Sequence, residues 1–123
     1  ISLSSAAGRL GFPLRSPYAA AKWGVVGFTA SLAIEAGQDG VRVNCIQPGV
    51  VAGDRIDRVA AAKAEAFGVT TEEMKQRMVE KVSMRTMVSA QDIANMALFL
   101  ASDAGRHISG QALSVCGNVE TLA

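Results

Sequence analysis

The sequence predicts an α/β fold in which helices cover a parallel sheet, and three observations support this. Short apolar segments typical of strands alternate with longer helical segments, in the order strand, helix, strand, helix, strand. Glycine or proline residues end several of these segments. Half of the 123 residues are hydrophobic and 19% are charged, which is enough to build a packed core. The chain is therefore predicted to be one domain or part of one.

The first element is a strand at residues 1–5, and a loop at residues 6–15 follows it. Ser16 and the proline after it are typical of an N-cap and a first helical position, so a helix is predicted over residues 17–36. This helix is apolar on nearly all sides, which is typical of a buried helix. We therefore expect further chain, or another subunit, to cover it.

The later elements have clear boundary signals. The motif Thr70-x-x-Glu73 is a capping box, and Ser89 precedes another helical pattern. The predicted elements are a strand at 41–46 ended by Pro48-Gly49, helices over 54–67, 70 to about 82 and 90–101, and a last strand at 111–115.

Charge and composition exclude several classes of protein. The net charge is +1 with acids and bases interspersed, so neither a nucleic-acid partner nor a membrane surface is indicated. No apolar run reaches the length of a membrane span. Cys45 and Cys116 form neither a disulfide framework nor a metal motif, so no metal is expected. Buried reduced thiols indicate a cytoplasmic protein.

Tyr18 and Lys22 are the main candidates for catalytic residues in the sequence. Residues four apart share one face of a helix, and a nearby ammonium group favours the phenolate form of tyrosine. Tyr18 lies in the first turn, where the positive end of the helix dipole also favours an anion. Ser5 ends the first strand, thirteen residues before Tyr18, and its hydroxyl could hold a substrate oxygen. The pattern predicts a proton-transfer site for making or reducing an alcohol.

Two alternatives stay open on the residues alone. Tyr18 and Lys22 could be an ordinary surface pair, and Ser2 and Ser4 compete with Ser5 for its role. Gly8 and Gly11 do not indicate a phosphate-binding loop, because such a loop leads directly into a helix and here prolines follow the glycines instead.

Three further motifs occur in the order of a known family. Ser5 followed by Tyr18-x-x-x-Lys22, then Asn44-x-x-x-Pro48-Gly49 and Ile108-Ser-Gly-Gln111, resembles the classical short-chain dehydrogenase/reductase family. The resemblance covers essentially the whole chain. It implies a Rossmann-like, doubly wound parallel sheet, of which this chain supplies the C-terminal half with strands five to seven. The glycine-rich dinucleotide turn of that family is not among these residues, so we expect a longer parent protein.

The resemblance also implies catalytic roles. Tyr18 gives a proton to a carbonyl oxygen during reduction and takes it back during oxidation, and Ser5 orients that oxygen. Lys22 favours the phenolate. Together with a nicotinamide cofactor, these residues imply an NAD(P)-dependent oxidoreductase acting on a small carbonyl compound or secondary alcohol.

Cofactor contacts follow from the same resemblance. Lys22 holds the ribose of NAD or NADP beside Tyr18, the turn at Pro48 and Gly49 lies against the nicotinamide, and Val51 presents its backbone to the carboxamide.

The resemblance divides the single domain of residues 1–123 into a catalytic motif at 1–36, a substrate lid at 53–88 and a last helix and strand at 89–116. The lid is similar to those of 3-hydroxybutyrate dehydrogenases and of 3-oxoacyl reductase relatives, and a polyol or sugar substrate is an equal alternative. The helix at 17–36 implies a homo-oligomer, either a dimer or a tetramer. A second hypothesis is a non-catalytic half-domain that only associates. The enoyl reductase branch is disfavoured because there the tyrosine and lysine are spaced more widely.

Overall fold

A computed structural model describes all of residues 1–123 and contains three parallel strands and four helices. The strands are β1 (Ser2–Leu3), β2 (Cys45–Pro48) and β3 (Ala112–Val115), and the helices are α1 (Ser16–Ala36), α2 (Asp54–Phe67), α3 (Thr71–Val79) and α4 (Ala90–Ala101). Short 3₁₀ turns follow β1, α1 and α4. The predicted α/β class with a parallel sheet is confirmed.

The sheet has the order β1–β2–β3, and both strand pairs are parallel. In its register, Ser2 lies opposite Cys45, and Cys45 lies opposite Ala112. The central strand β2 is buried, and Cys45 and Ile46 are fully inaccessible to solvent. Parallel strands end at one edge of a sheet, so the loop after β1 and the turn after β2 leave from the same edge.

Strand β2 lies later than predicted, at Cys45–Pro48 instead of 41–46. Just before β2, hydrogen bonds that involve side chains take the place of the backbone hydrogen bonds of a strand pair. The Val43 N–H donates to the Ser109 hydroxyl at 3.1 Å, and Asn44 Nδ2 donates to the Ile108 carbonyl at 2.8 Å. The Gln111 N–H donates to Asn44 Oδ1 at 3.1 Å. The two late motifs of the sequence are therefore joined by the side chain of Asn44.

Helix α1 begins at Ser16, so the prediction that Ser16 is the N-cap is wrong. The cap residue is Arg15, which makes no capping bond through its side chain, while the Ala19 N–H donates to the Arg15 carbonyl at 2.9 Å. Leu14 has a φ of 63°, and this turn brings the Arg15 carbonyl to the start of the helix. Pro17 lies in the first turn. Backbone N–H groups there have no acceptor within the helix, so a proline costs no hydrogen bond.

Most of α1 is not covered by the rest of the chain. Thr29 is its only buried residue. Trp23, Phe28 and Ile34 are 51%, 58% and 83% exposed. The helix therefore presents a large apolar surface that these 123 residues leave open.

Helices α2 and α3 form a hairpin with its own small core. Ala60, Ala64 and Met74 are buried together, and Val69 and Met78 pack against them. An exposed ion pair with 2.7 Å between Lys75 Nζ and Asp57 Oδ1 crosses the same two helices. The hairpin is thus held together mainly by contacts within itself.

The hairpin belongs to a longer segment, residues 53–88 (the hairpin segment), whose two ends are joined by backbone hydrogen bonds. The Val88 N–H donates to the Val50 carbonyl at 2.9 Å, and the Ala52 N–H donates to the Val88 carbonyl at 2.8 Å. Helix α3 ends at Val79, earlier than the predicted position near 82, because Val82 leaves the helix to form an antiparallel bridge with Val119.

The predicted helix starts at Thr70 and Ser89 are confirmed as complete capping boxes. The Glu73 N–H donates to Thr70 Oγ1 at 3.1 Å, and the Glu73 carboxylate accepts from the Thr70 N–H at 2.8 Å. Ser89 and Asp92 make the same pair of bonds. These bonds lower the pKa values of Glu73 and Asp92, because the backbone and hydroxyl donors favour the ionised carboxylates.

Both cysteines are free and buried, as predicted. None of the helices combines the length and the apolar composition needed to cross a bilayer. No group of histidine, cysteine, aspartate and glutamate side chains is arranged to hold a metal ion.

Candidate functional site

The loop after β1 shows why Ser4 and Ser5 differ. Ser4 is buried, and its hydroxyl donates to the Lys22 carbonyl at 2.7 Å, so it fastens the loop to α1. Ser5 is half-buried, and its Oγ accepts the Ala7 N–H at 3.1 Å. The hydroxyl hydrogen of Ser5 therefore stays free to donate to a substrate oxygen.

The approach of this loop to α1 depends on Gly8. A Cβ at this position would collide with the Ser4 hydroxyl and would lie 2.8 Å from the Lys22 carbonyl oxygen. Gly8 therefore permits a close contact between the serine loop and the helix that carries the tyrosine. Nothing comparable surrounds Gly11, which has open space at its Cβ position.

Tyr18 and Lys22 lie on one face at the start of α1, as their spacing predicts. Lys22 Nζ is 5.6 Å from the centroid of the Tyr18 ring. The same ammonium donates to the Leu3 carbonyl at 3.1 Å, which ties the helix to the end of β1. The structure thus groups the end of β1, the serine loop, Tyr18 and Lys22.

Two residues that the sequence analysis did not include surround the tyrosine. Phe12 meets the Tyr18 ring edge-on, with centroids 6.2 Å apart and an interplanar angle of 80°. The Arg15 guanidinium lies 5.4 Å from the Phe12 centroid and 5.1 Å from the Tyr18 centroid. A sequence signal existed, since Arg15 lies three residues before the tyrosine in a region without acidic residues.

The turn after β2 holds the remaining predicted site residues. Pro48 ends the strand, and the Gly49 N–H donates to the Val115 carbonyl at 3.1 Å. A Cβ on Gly49 would lie 2.8 Å from the Cys116 Cα, so only glycine allows this packing against the segment after β3.

Val51 presents an available donor at this turn. It bridges Val88 through the bonds of its neighbours, so the Val51 N–H itself donates to no group of the chain. An unused N–H at this position can bind an external acceptor. No hydrogen bond joins the turn to Tyr18 or Lys22; the two groups are related by the shared edge of β1 and β2.

A separate cavity lies away from these residues. It has a volume of about 1060 Å³ and is lined by Arg9, the end of the hairpin segment, α4 and residues that end or follow β3. Ser5, Tyr18 and Lys22 do not line it. The predicted proton-transfer residues therefore occupy a more open surface at the carboxyl edge of the sheet.

Comparison with known proteins places this arrangement in a family. A family model described as enoyl-(acyl carrier protein) reductase matches residues 1–118. The 3-oxoacyl-(acyl-carrier-protein) reductase of Chlamydia trachomatis is 36% identical over 119 residues, which cover 97% of this chain and 44% of the relative. The chain thus spans about half the length of the curated relatives it matches.

Solved structures agree with this assignment. Sorbitol-6-phosphate 2-dehydrogenase from Erwinia amylovora superposes with a TM-score of 0.87 at 34% identity, over 94% of this chain and 45% of that one. A variant of actinorhodin polyketide ketoreductase with NADPH gives 0.88 at 32% identity, over 96% and 45%. The fold, the order of the motifs and these matches show that the chain belongs to the short-chain dehydrogenase/reductase family.

Proposed function

We propose that this chain carries the acid–base half of an NAD(P)-dependent oxidoreductase that interconverts a carbonyl compound and a secondary alcohol. The observation behind this proposal is the grouping of Tyr18, Lys22 and the Ser5 loop at the carboxyl end of β1. Ligands of open α/β sheets bind at this edge.

Tyr18 is the proposed proton donor during reduction and the acceptor during oxidation. The Lys22 ammonium lies 5.6 Å from the centroid of the Tyr18 ring, so it is placed beside the proposed proton donor. The free hydroxyl hydrogen of Ser5 binds the same substrate oxygen, where negative charge develops in the transition state. Ser4 supports this indirectly by fixing the loop to α1.

The donors of this edge suit a nicotinamide nucleotide. Lys22 uses one of its three N–H groups on Leu3, so two stay available for ribose hydroxyls. The free Val51 N–H, beside the turn at Pro48 and Gly49, suits a carboxamide oxygen. When bound, the cofactor would supply or accept the hydride. The NADPH in the actinorhodin ketoreductase structure supports this choice.

The substrate class is proposed from the relatives. They include 3-oxoacyl reductases and a sugar-phosphate dehydrogenase, which supports either a 3-oxoacyl or a polyol type of substrate. The matching family model is described as an enoyl reductase. The four-residue spacing of Tyr18 and Lys22 favours carbonyl reduction over enoyl reduction. We propose that the segment between β2 and α4 acts as the substrate lid.

The exposed face of α1 supports a homo-oligomer, a dimer or a tetramer built on this helix. Gly27 is exposed with open space at its Cβ position, so Gly27→Glu is tolerated within the subunit. In an apolar interface, the same charge would be desolvated. We expect Gly27→Glu to dissociate the full-length protein in light scattering, with Gln38→Glu as the exposed control. An intact oligomer at micromolar concentration would remove α1 from the interface.

Tyr18→Phe in the full-length protein tests the proposed reaction. We expect carbonyl reduction to fall about a thousandfold, within the range of general acid–base catalysis. Nucleotide affinity, measured by fluorescence titration, should stay nearly normal because the ring is kept. Turnover within tenfold of wild type would contradict the assignment of Tyr18 as the acid–base residue.

A further inference from the structure

Ser5 and Arg9 lie at the two ends of one short turn. The 3₁₀ turn Ala6–Gly8 is capped at its start by Ser5 and at its end by Arg9. The Arg9 N–H donates to the Ala6 carbonyl at 3.1 Å. The turn has only three residues and all of them are buried, so it has little freedom to rearrange. A shift of Arg9 therefore also moves Ser5.

The guanidinium of Arg9 reaches across the fold to the segment that follows β3. Its Nη2 donates to the Val119 carbonyl at 3.0 Å and lies 3.5 Å from Cys116 Sγ. Its Nε is buried and has no hydrogen-bond partner. Burial of an unpaired N–H costs stability, so stability alone does not explain this placement. The side chain links the serine loop after β1 to a turn at residues 116–119.

The turn at residues 116–119 also holds the end of the hairpin segment. Gly117 and Asn118 are both left-handed, with φ values of 64° and 62°, and the chain reverses here after β3. The Ser83 N–H donates to the Asn118 carbonyl at 2.9 Å. The Met84 N–H donates to the Gly117 carbonyl at 3.1 Å. Asn118 Nδ2 adds a bond to the Ser83 hydroxyl at 2.8 Å. The end of the proposed lid is thus fixed to the turn that Arg9 contacts.

One buried cluster joins the serine loop, the end of the hairpin segment and the turn after β3. Its members are Ala6, Val82, Cys116 and Val119. Close-packed side chains transmit a displacement, because they leave no space to absorb it. A shift in one of these three parts therefore reaches the other two, and Arg9 adds a hydrogen bond across them.

We propose that Arg9 is a positioning residue that couples the end of the lid to Ser5. When the lid moves, the turn after β3 and the Arg9 guanidinium carry the displacement to the serine loop, and so to the hydroxyl that binds the substrate oxygen. This inference rests on the proposed function, which gives Ser5 that role. Arg9 lines the separate cavity, which Ser5 and Tyr18 do not line, so it acts through Ser5 and not on the substrate.

A double-mutant cycle in the full-length protein tests this coupling. We measure kcat and KM for reduction of ethyl 3-oxobutanoate by NADPH or NADH, in Arg9→Met, Ser5→Ala and the combined variant. We expect Arg9→Met alone to lower kcat about tenfold, because a misplaced group loses part of its contribution, with KM changed less than about threefold. In the Ser5→Ala background the same change should lower kcat less than about twofold, because the group that Arg9 positions is already absent.

Arg106→Met is the matched control, because Arg106 also caps a 3₁₀ turn but is exposed. Arg9→Lys keeps a donor for the Val119 carbonyl and should restore part of the lost kcat. Amide hydrogen exchange gives a readout that needs no turnover. Arg9→Met should speed up exchange at Ser83 and Met84, which donate to the turn, and Arg106→Met should not. If Arg9→Met does not fold, Arg9→Gln replaces it in both measurements.

Two results would overturn the inference. Losses of kcat that multiply in the combined variant would show that Arg9 does not act through Ser5. Unchanged exchange at Ser83 and Met84 would show that Arg9 does not hold the end of the hairpin segment. Failure of the proposed function looks different, because Ser5→Ala and Tyr18→Phe would then keep the wild-type kcat while exchange at Ser83 and Met84 still responded to Arg9→Met.

Discussion

The tyrosine segment (residues 1–36) and the hairpin segment (residues 53–88) are stabilised in different ways. The tyrosine segment depends on contacts between elements, from Ser4 to Lys22 and from Lys22 to Leu3, while α1 leaves most of its apolar surface open. The hairpin segment has its own core, ion pair and capping box. The comparison indicates that the placement of Tyr18 depends on contacts between elements, whereas the hairpin is held mainly by contacts within itself.

Lys22→Ala perturbs the tyrosine segment, and its expected effect is second only to that of Tyr18→Phe. It removes the cation beside Tyr18 and the bond to the Leu3 carbonyl. We expect turnover to fall about a hundredfold, the scale of one acid–base contribution. Nucleotide should bind more weakly, because Lys22 is the proposed donor to the ribose. Steady-state kinetics and fluorescence titration of nucleotide measure this, with Lys63→Ala as an exposed control. Unchanged turnover with unchanged nucleotide affinity would refute the role of Lys22.

Met74→Ala is expected to destabilise the hairpin segment. Met74 is buried against Ala60 and Ala64, so truncation leaves a cavity that costs about 2–5 kcal/mol of hairpin stability. Amide hydrogen exchange should speed up in α2 and α3 and stay unchanged in α1. Met84→Ala, at an exposed position, is the control. An equal change in the exchange of α1 would show that the two segments are not independent.

Gly8→Ala tests the close contact on which the tyrosine segment depends. The added methyl group would meet the Ser4 hydroxyl and the Lys22 carbonyl, so the loop or α1 must shift. Overpacking of this kind costs about 1–3 kcal/mol. Denaturant unfolding of the full-length protein should show this loss, whereas Gly11→Ala, with open space around it, should not. Equal stability of the two variants would contradict the described approach of loop and helix.

The smallest expected effect concerns the capping carboxylates of α3 and α4. Their hydrogen bonds to Thr70 and Ser89 lower the pKa values of Glu73 and Asp92. A lowered folded-state pKa means stability that is present above the unfolded value and is lost as pH falls through the folded value. Below the ordinary carboxyl range, both helix starts should fray slightly. Carboxyl titration by NMR checks this, and an ordinary or raised pKa for Glu73 would contradict it.

The sequence predicts most helices well because their ends carry local chemistry. Thr70 with Glu73 and Ser89 with Asp92 fix their helix starts within four residues, so no distant information is needed. The start of α1 differs from the prediction, because Leu14 adopts a left-handed conformation and the cap residue is Arg15. The bounds of β2 depend on Asn44 reaching Ile108, a contact across the fold that local pattern cannot reveal.

The candidate site was predictable only in part. The spacing of Tyr18 and Lys22 gives their shared face directly, because both lie on one regular helix. The difference between Ser4 and Ser5 depends on which hydroxyl reaches α1, and this requires the folded loop. The contact of Arg15 with Phe12 and Tyr18 likewise requires the turn at Leu14.

The central proposal is that the tyrosine segment carries the proton transfer and that the hairpin segment acts as the substrate lid. The most direct measurement is kcat/KM over a panel of acidic, neutral and polyhydroxy carbonyl compounds, for Tyr18→Phe and for the exposed hairpin variants Phe67→Ala and Met84→Ala. Our account predicts that Tyr18→Phe lowers every value by about the same thousandfold factor. The hairpin variants should change the order of the substrates with less effect on the fastest one. A Tyr18→Phe enzyme that keeps turning over part of the panel, or hairpin variants that lower all values equally, would contradict it.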